Sequence, residues 1–320
     1  MAEWAFVSLG SNLGDRAQHL AFGREHLAAL PATTLIAHSP IEETEPLGPV
    51  PQGPFFNQMV LLETDLDAPD LLARCHEIED HCGRTRAVRW GPRTLDLDIV
   101  RVGDLRIDDP ALTIPHPELP NRPFWLRQLA ELLPHSWCAA TDPGLPAWAE
   151  VTERRKAHVL RVAGLLGAWA VATEKSRVER NRWLKAAFLH DALRDASSRT
   201  MSEWVDDPEM AVDVQHGPAA ANLAASHGES DHEVLDAVRF HSVGSTTWGQ
   251  LGRMLYMADY LEPGRRFRRA QRARLAGDVP AAPERVLLTV ATFRLQRAIE
   301  KRHRLQQEGI DFWNAIVSSG

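Results

Sequence analysis

The chain has 320 residues, a quarter of them charged, a net charge of −7 and an isoelectric point near 6.1. That acidic balance argues against nucleic acid or a membrane surface as partner, and no apolar run approaches the roughly eighteen residues of a membrane span. Cys75, Cys82 and Cys138 are odd in number and lack CxxC spacing, which excludes a disulfide framework and predicts a reducing cytoplasm. The start, MAEWAFVSLG, lacks the basic and apolar regions of an export signal.

In chain order, residues 4–10 predict an apolar strand, the GSNLGD turn follows, and Leu20, Leu27 and Leu30 recur at helical spacing. Segments 33–39 and 55–64 predict strands joined by PIEETEPLGPVPQGP, a loop too long for a tight hairpin and of a length that usually carries function. Asp67 caps a helix to about Cys82, with Leu71, Leu72, Cys75, Ile78 and Glu79 recurring along it. A strand over 95–102 completes the order βαββαβ. This predicts, for residues 1–135, an α+β ferredoxin-like sandwich with helices on one face of an antiparallel sheet. A Pro-, Gly- and Ala-rich stretch predicts a linker over 136–149. From there to residue 320, helical patterns at 150–174, 178–193, 216–227, 231–241, 246–262 and 284–308 predict an all-α bundle. No internal repeat links the halves, and oligomeric state is not legible.

The run RWGPRTLDLD at 89–98 carries the most chemistry. Strand alternation turns Leu95, Leu97 and Ile99 one way and Asp96 and Asp98 the other. Paired carboxylates repel unless a cation neutralises them, and hard Mg²⁺ favours such oxygens together with substrate phosphates. Arg84, Arg86, Arg89 and Arg93 supply guanidinium forks for phosphate. The other reading is an edge strand with surface salt bridges. Lysine occurs only at 156, 175, 185 and 301, so a Walker A loop is excluded from the front half. The stacked aromatics and basic patch of an RNA-binding sheet are also missing.

These residues, with VSLGSNLGD, TEPLGP, FFN at 55–57, GRTR at 83–86 and IPHPELPNRPF at 114–124, resemble the 6-hydroxymethyl-7,8-dihydropterin pyrophosphokinases of folate biosynthesis. The resemblance implies transfer of the β,γ-pyrophosphoryl unit of ATP to the pterin hydroxymethyl group, with AMP released. It implies that Asp96 and Asp98 hold two Mg²⁺ ions and that Arg84 and Arg93 neutralise charge on the moving group. It places the pterin against Thr44, Pro46, Leu47, Phe55, Asn57 and Phe124, and ATP against Glu79, Arg86, Trp90, Thr113, His116 and Arg122. By spacing alone Phe55 reads as core and His116 as a loop histidine. Pro117 stands where relatives often carry an aromatic, and the loop between Arg86 and Trp90 is one residue short.

In the second half His158, the pair His190-Asp191, His216, His241 and Asp259 recur on separate helices. A His-Asp pair ending an apolar helix either caps that end or presents mixed nitrogen and oxygen ligands to a metal. Residues 151 to about 270 resemble the HD-domain metal phosphohydrolases, and within them the bacterial symmetrical bis(5'-nucleosyl)-tetraphosphatases, through HDALR, HGPAAANLA, RFHSVGS and MLYMADYLEPGRRF. The resemblance implies that His158, His190, Asp191 and Asp259 hold one metal and His216 and His241 complete a second, with Fe or Mn suited and Zn or Co alternatives. It implies hydrolysis of diadenosine tetraphosphate, a dinucleoside polyphosphate, to ADP. The alternatives are hydrolysis of another nucleotide, or a metal-bound nucleotide sensor without turnover. Arg194 stands where relatives tend to carry lysine. Arg265 and Arg266 either contact phosphates or are solvated. His227, His232 and His303 read as surface residues. Arg294, Arg297, Lys301, Arg302 and Arg304 read as a solvated basic face of the helix 284–308.

Overall fold

The computed structural model describes residues 3–46, 50–84, 91–137, 142–205 and 210–318. The chain forms two compact units, Met1–Ser136 and Trp137–Gly320.

The first unit runs β1 (Glu3–Ser11), α1 (Arg16–Ala28), β2 (Thr33–His38), β3 (Glu42–Thr44), β4 (Phe55–Thr64), α2 (Ala68–His81), β5 (Asp96–Val102), β6 (Ile107–Asp108), β7 (Thr113–Ile114) and α3 (Pro123–Leu132). Its main sheet is antiparallel in the order β2-β4-β1-β5, with β3 also paired to β4. Asp15 and Asp67 each accept a backbone N–H at the start of α1 and α2, which is why those helices begin where they do. On one sheet face Val7, Leu9, Val60, Leu62, Leu97 and Ile99 pack with Leu20 and Leu27 of α1 and Leu71, Cys75 and Ile78 of α2. Burying such side chains supplies the main stabilisation, about 1.5–3 kcal/mol each.

Three features depart from the predicted order. Strand β3 lies inside the long loop, too short to show alternation. Residues 107–114 hold the small β6-β7 hairpin. Helix α3 packs on the sheet face opposite α1 and α2, where Trp125, fully buried, donates its Nε1–H to Ser8 Oγ at 2.7 Å. Helices therefore cover both faces, not one. The apolar positions Trp125, Leu126, Leu129 and Leu132 carry the signal for α3.

The second unit comprises α4 (Glu153–Ala172), α5 (Arg177–His190), α6 (Ser198–Trp204), α7 (His216–Ser226), α8 (His232–Phe240), α9 (Gln250–Leu261), α10 (Arg269–Asp278), α11 (Pro283–Glu300) and α12 (Gln307–Ser318). No strand occurs among its described residues. Thr152, Ser176 and Asp231 cap α4, α5 and α8, and Trp169 of α4 donates to Ala276 O of α10 at 2.9 Å. Helices α6, α10 and α12 extend the predicted set. The single helix expected over 284–308 is two: Arg302 adopts a left-handed φ of 56°, which ends α11, and α12 starts at Gln307. The solvated basic face is corrected in part, because Arg294 is not solvated. Its guanidinium pairs with Asp259 and lies 4.2 Å over the Tyr256 ring, whereas Arg302 and Arg304 are exposed. Among the described helices none is long and apolar enough to cross a membrane.

Candidate active sites

The first site follows from register. Asn57 of β4, Gly10 of β1 and Asp96 of β5 are cross-strand partners in one row, and Ser8 pairs with Asp98 two residues further. The period of two then turns Phe55, Asn57, Ser8, Gly10, Asp96 and Asp98 to one face. Gly10 keeps the floor open: a Cβ there would stand 3.3 Å from Asn57 Oδ1, 3.7 Å from Phe55 and 3.8 Å from Asp96. The resulting cavity of about 70 Å³ is lined by Ser8, Gly10, Thr44, Glu45, Gln52, Phe55, Asn57, Arg93, Asp96, Asp98, Arg122 and Phe124.

Guanidiniums surround the two acids. Asp96 is paired through Oδ1 with Arg84 and through Oδ2 with Arg93, both at 2.6 Å, and Asp98 Oδ2 with Arg122 at 3.2 Å. Glu79, 1% exposed, accepts from Leu97 N at 2.7 Å and pairs with Arg84. It thus stands behind that guanidinium instead of lining the cavity. Burial, then the Asp96 charge, pushes the Asp98 carboxyl up to about 6, with Arg122 and Arg93 opposing. Burial, with the Arg122 charge, pulls His116 down to about 4. The ring is therefore neutral near pH 7, its Nε2 3.9 Å from Asp98 Oδ1 and its edge on Trp125. The Asn57 amide is oriented by donation to Thr44 Oγ1 at 2.8 Å.

The structure thus gathers Thr44, Phe55, Asn57, Arg84, Arg93, Asp96, Asp98, His116, Arg122 and Phe124. Phe55 faces the cavity while Phe56 packs on the core, so Phe55 is not a core residue. Thr113 lies in the β6-β7 hairpin, its hydroxyl turned to Asp109 O at 3.5 Å, and neither it nor Pro46 lines the cavity. Leu47, Arg86 and Trp90 lie outside the described residues. Asn12 was missed by sequence reasoning. Its side chain accepts from Arg93 N at 2.8 Å and donates to Gln52 Oε1 at 2.8 Å, clamping the arginine loop to the long loop. Its place in the GSNLGD turn was the available signal.

The second site collects helix ends. His190 closes α5 with Asp191 as its C-cap, His216 opens α7, His241 caps α8, Asp259 sits in the last turn of α9 and His158 in the first half of α4. All six are buried. Asp191 is the centre: Oδ1 lies 3.2 Å from His216 Nε2 and 3.6 Å from His241 Nε2, and Oδ2 lies 3.5 Å from His158 Nε2 and 3.7 Å from His190 Nε2. Two three-residue groups, His158-His190-Asp191 and Asp191-His216-His241, each bring their ligand atoms within 4.8 Å of one another.

The outer nitrogens are tied. His190 Nδ1 and His241 Nδ1 bond to Ala187 O and Val238 O at 2.6 and 2.7 Å, and His158 Nδ1 to Glu262 Oε1 at 3.2 Å. A carbonyl at Nδ1 fixes the proton there and leaves Nε2 as a lone-pair donor, the usual arrangement behind a metal-binding histidine. The buried Nε2 of His190 has no hydrogen-bond partner and that of His158 faces two carboxylates, Asp259 Oδ1 at 3.2 Å and Asp191 Oδ2 at 3.5 Å, so the donor set fits a metal. Burial pulls His190 down to about 3 and also lowers His216. Against its own burial, His158 is raised to about 9 by hydrogen bonds to Asp259 and Glu262. Against their burial, Asp191 is held well below the carboxylate range by His190 and His216, and Asp259 by Arg265 and Arg294.

Asp259 lies outside both groups, although its Oδ1 is 3.2 Å from His158 Nε2. Arg265 donates to that Oδ1 at 2.5 Å and Arg294 to Oδ2 at 2.7 Å. Arg194 lies near His216 Nδ1 at 3.5 Å, and His227, His232 and His303 are exposed. Sequence reasoning missed Glu262 and Arg294. Glu262 follows Asp259 by three residues, a spacing that shares a helix face; Arg294 gave no local signal.

Two acids sharing a sheet face, ringed by guanidiniums beside an amide-and-aromatic slot, form a site suited to metal-bound phosphates. Residues 6–134 match the model of 7,8-dihydro-6-hydroxymethylpterin-pyrophosphokinase, and residues 155–274 match the HD domain. The chain is 42% identical over 134 residues, 42% of its own length, to the 2-amino-4-hydroxy-6-hydroxymethyldihydropteridine pyrophosphokinase of Pseudomonas aeruginosa, covering 83% of that protein. It is 42% identical to the Bacillus subtilis protein of the same name, over 40% of this chain and 77% of that one. Through its front unit the chain belongs to the dihydrohydroxymethylpterin pyrophosphokinase family. It is an enzyme, a diphosphotransferase joined to a helical HD domain. A crystal structure of a predicted HD superfamily hydrolase involved in NAD metabolism from Clostridium acetobutylicum is similar at a TM-score of 0.46 and 23% identity, covering 53% of this chain and 92% of that one.

Proposed function

We infer that the chain carries two activities: transfer of the β,γ-pyrophosphoryl unit of ATP to 6-hydroxymethyl-7,8-dihydropterin in folate biosynthesis, and metal-dependent hydrolysis of a dinucleoside polyphosphate by the HD domain. The observation that carries the first is the row Asn57-Gly10-Asp96, which sets a ring slot and a metal-binding acid on either side of a side-chain-free floor. The order β2-β4-β1-β5 supports a ferredoxin-like reading of that unit.

In the first reaction the pterin hydroxyl oxygen gives up its proton to solvent and bonds to the β-phosphorus, the bond from that phosphorus to the oxygen bridging to the α-phosphate breaks, and AMP leaves. Asp96 and Asp98 would hold two Mg²⁺ ions, which supply charge neutralisation on the phosphates. Arg84 and Arg93, and Arg122 beside Asp98, stabilise negative charge on the transferred group. Glu79 and Asn12 keep two of these cations in place through Arg84 and the Arg93 backbone. Asn57, oriented by Thr44, hydrogen-bonds the pterin edge, and Phe55 and Phe124 stack on its faces, with Thr44, Pro46 and Leu47 supplying backbone contacts. Arg86, Trp90, Thr113 and His116 complete the ATP side.

For the HD domain, the sharing of Asp191 between two groups of ligand atoms favours two metals, with Fe or Mn preferred by the mixed donors. Bound there, they supply a hydroxide nucleophile. Diadenosine tetraphosphate split to ADP is the reading that HDALR and MLYMADYLEPGRRF support. The test is chromatography of products from the purified chain given ATP, hydroxymethyldihydropterin and Mg²⁺, and separately diadenosine tetraphosphate with Mn²⁺ or Fe²⁺. Asp96→Ala removes AMP formation alone and Asp191→Ala removes ADP formation alone. Metal binding without ADP release would leave a sensor, and loss of both products from either change would refute independent sites.

A further inference from the structure

Beside the histidine cluster lies a larger cavity of about 180 Å³, walled mainly by residues 291–313 of α11, α12 and the segment between them. These lie beyond the segment 155–274 that matches the HD domain. We propose that this cavity binds the nucleoside portion of a nucleotide whose phosphates reach the metal centre, so that the C-terminal helices set substrate selectivity. The proposal rests on the hydrolase reading of the same site and names where its substrate is recognised.

Position is the first argument. Ser242 lines the cavity, with its Oγ 3.1 Å from His241 Nε2 and 3.5 Å from His216 Nε2. Arg294, another wall residue, holds Asp259 Oδ2 at 2.7 Å. The cavity therefore borders both ends of the ligand cluster. A molecule with phosphates on the cluster and a bulky organic group is led to place that group here.

Chemistry is the second. The wall is apolar and aromatic, including Leu295, Ile310, Phe312 and Trp313, with a few polar groups converging on it, which is the composition of small-molecule sites. Trp313 and Phe312 bring aromatic rings to the wall and Arg294 a guanidinium. A nucleoside is a flat ring with polar edges, which suits a wall of aromatic and aliphatic side chains interspersed with Ser242, Gln306 and Arg304. Charge agrees: Arg294 and Arg304 contribute to the wall, and the one acid among its described residues, Asp213, lies 3.8 Å from His303 Nδ1.

The test uses the full chain with Asp96→Asn and Asp98→Asn, which silences the front site, loaded with Mn²⁺ and titrated calorimetrically with ADP and, separately, pyrophosphate. Ala298→Phe, which fills the cavity, is expected to weaken ADP binding at least tenfold and leave Mn²⁺ and pyrophosphate binding unchanged. Trp313→Ala removes one aromatic ring from the wall; it is expected to weaken ADP several-fold, and it serves if Ala298→Phe fails to fold. Undiminished ADP binding in the folded variants, or parent protein that binds pyrophosphate but not ADP, overturns the proposal. ADP binding sensitive to both variants, without release of ADP from diadenosine tetraphosphate, upholds it and refutes diadenosine tetraphosphate as the substrate.

Discussion

Asp191→Asn is the substitution whose effect the geometry determines most sharply. One carboxylate oxygen faces His216 and His241, the other His158 and His190, at 3.2–3.7 Å. Asparagine keeps the size but replaces one oxygen with an amide nitrogen and removes the charge, so neither group keeps an anionic ligand. A metal at a hundred times its Kd stabilises a folded domain by about 2.7 kcal/mol. For a unit the size of residues 137–320, 1 kcal/mol moves Tm by about 2–4 °C. Loading wild-type protein with Mn²⁺ should therefore raise the Tm of that unit by roughly 5–11 °C. With metal chelated, the substitution itself costs about 1–3 kcal/mol in charged hydrogen bonds, since His158 keeps Asp259 and Glu262. The quantity to read by scanning calorimetry is thus the difference with and without Mn²⁺, not the absolute Tm. The variant should show no such difference, and one that keeps more than half of the wild-type rise would refute a shared ligand.

Glu79→Ala leaves the Leu97 N–H without its buried partner and Arg84 paired with Asp96 alone, and should lower the stability of the front unit by about 1–3 kcal/mol in urea unfolding; a loss under about 0.5 kcal/mol would contradict that support role. Mg²⁺ needs ionised Asp98, whose carboxyl is pushed up to about 6, so calorimetric Mg²⁺ affinity should fall as pH drops through 6. By linkage the metal-free fold retains that proton to higher pH than the unfolded chain, so Asp98 contributes stability below the ordinary carboxylate range that is lost as pH rises through 6; a pH-independent Mg²⁺ affinity would contradict the assignment. Arg294→Met frees Asp259 Oδ2 and should weaken Mn²⁺ binding about 10–100-fold in chelator competition. Unchanged affinity would remove α11 from the metal site's support.

What the sequence discloses is governed by range. The face assignment of Asp96 and Asp98 is legible because LDLDI carries its own period of two, and the caps at Asp67, Ser176 and Asp231 sit within a few residues of the N–H groups they serve. The three-residue β3 shows no period, and the left-handed turn at Arg302 occurs inside a continuous charged run. Contacts such as Asn12 with the Arg93 backbone join residues 81 apart and leave no local trace in either segment. The basic stretch of α11 looked like a solvated face because charge, unlike apolar periodicity, does not reveal whether its partner is water or a buried carboxylate.

Both sites meet the same electrostatic requirement in the same way, and this explains why arginines accompany the acids in each half. Arg84 and Arg93 pair with Asp96, Arg122 with Asp98, Arg155 with Asp191, and Arg265 and Arg294 with Asp259. Asp191 and Asp259 are buried and Asp96 and Asp98 half-buried, and carboxylates so placed favour a partner cation, since an uncompensated buried charge costs several kcal/mol. A divalent ion held by these acids would take over that neutralisation, and the guanidiniums would then be available beside it for substrate phosphates. Arg294 differs from the rest: bonded at once to Asp259, the Tyr256 carbonyl and the Tyr256 ring face, it is held whether or not the carboxylate ligates a metal. Its expected contribution is therefore to orientation of Asp259, while Arg155 and Arg265 each make one short bond, to Asp191 and Asp259, and a longer contact of 3.7 Å to Asp195 and Glu262, and so have less to break in turning toward a phosphate.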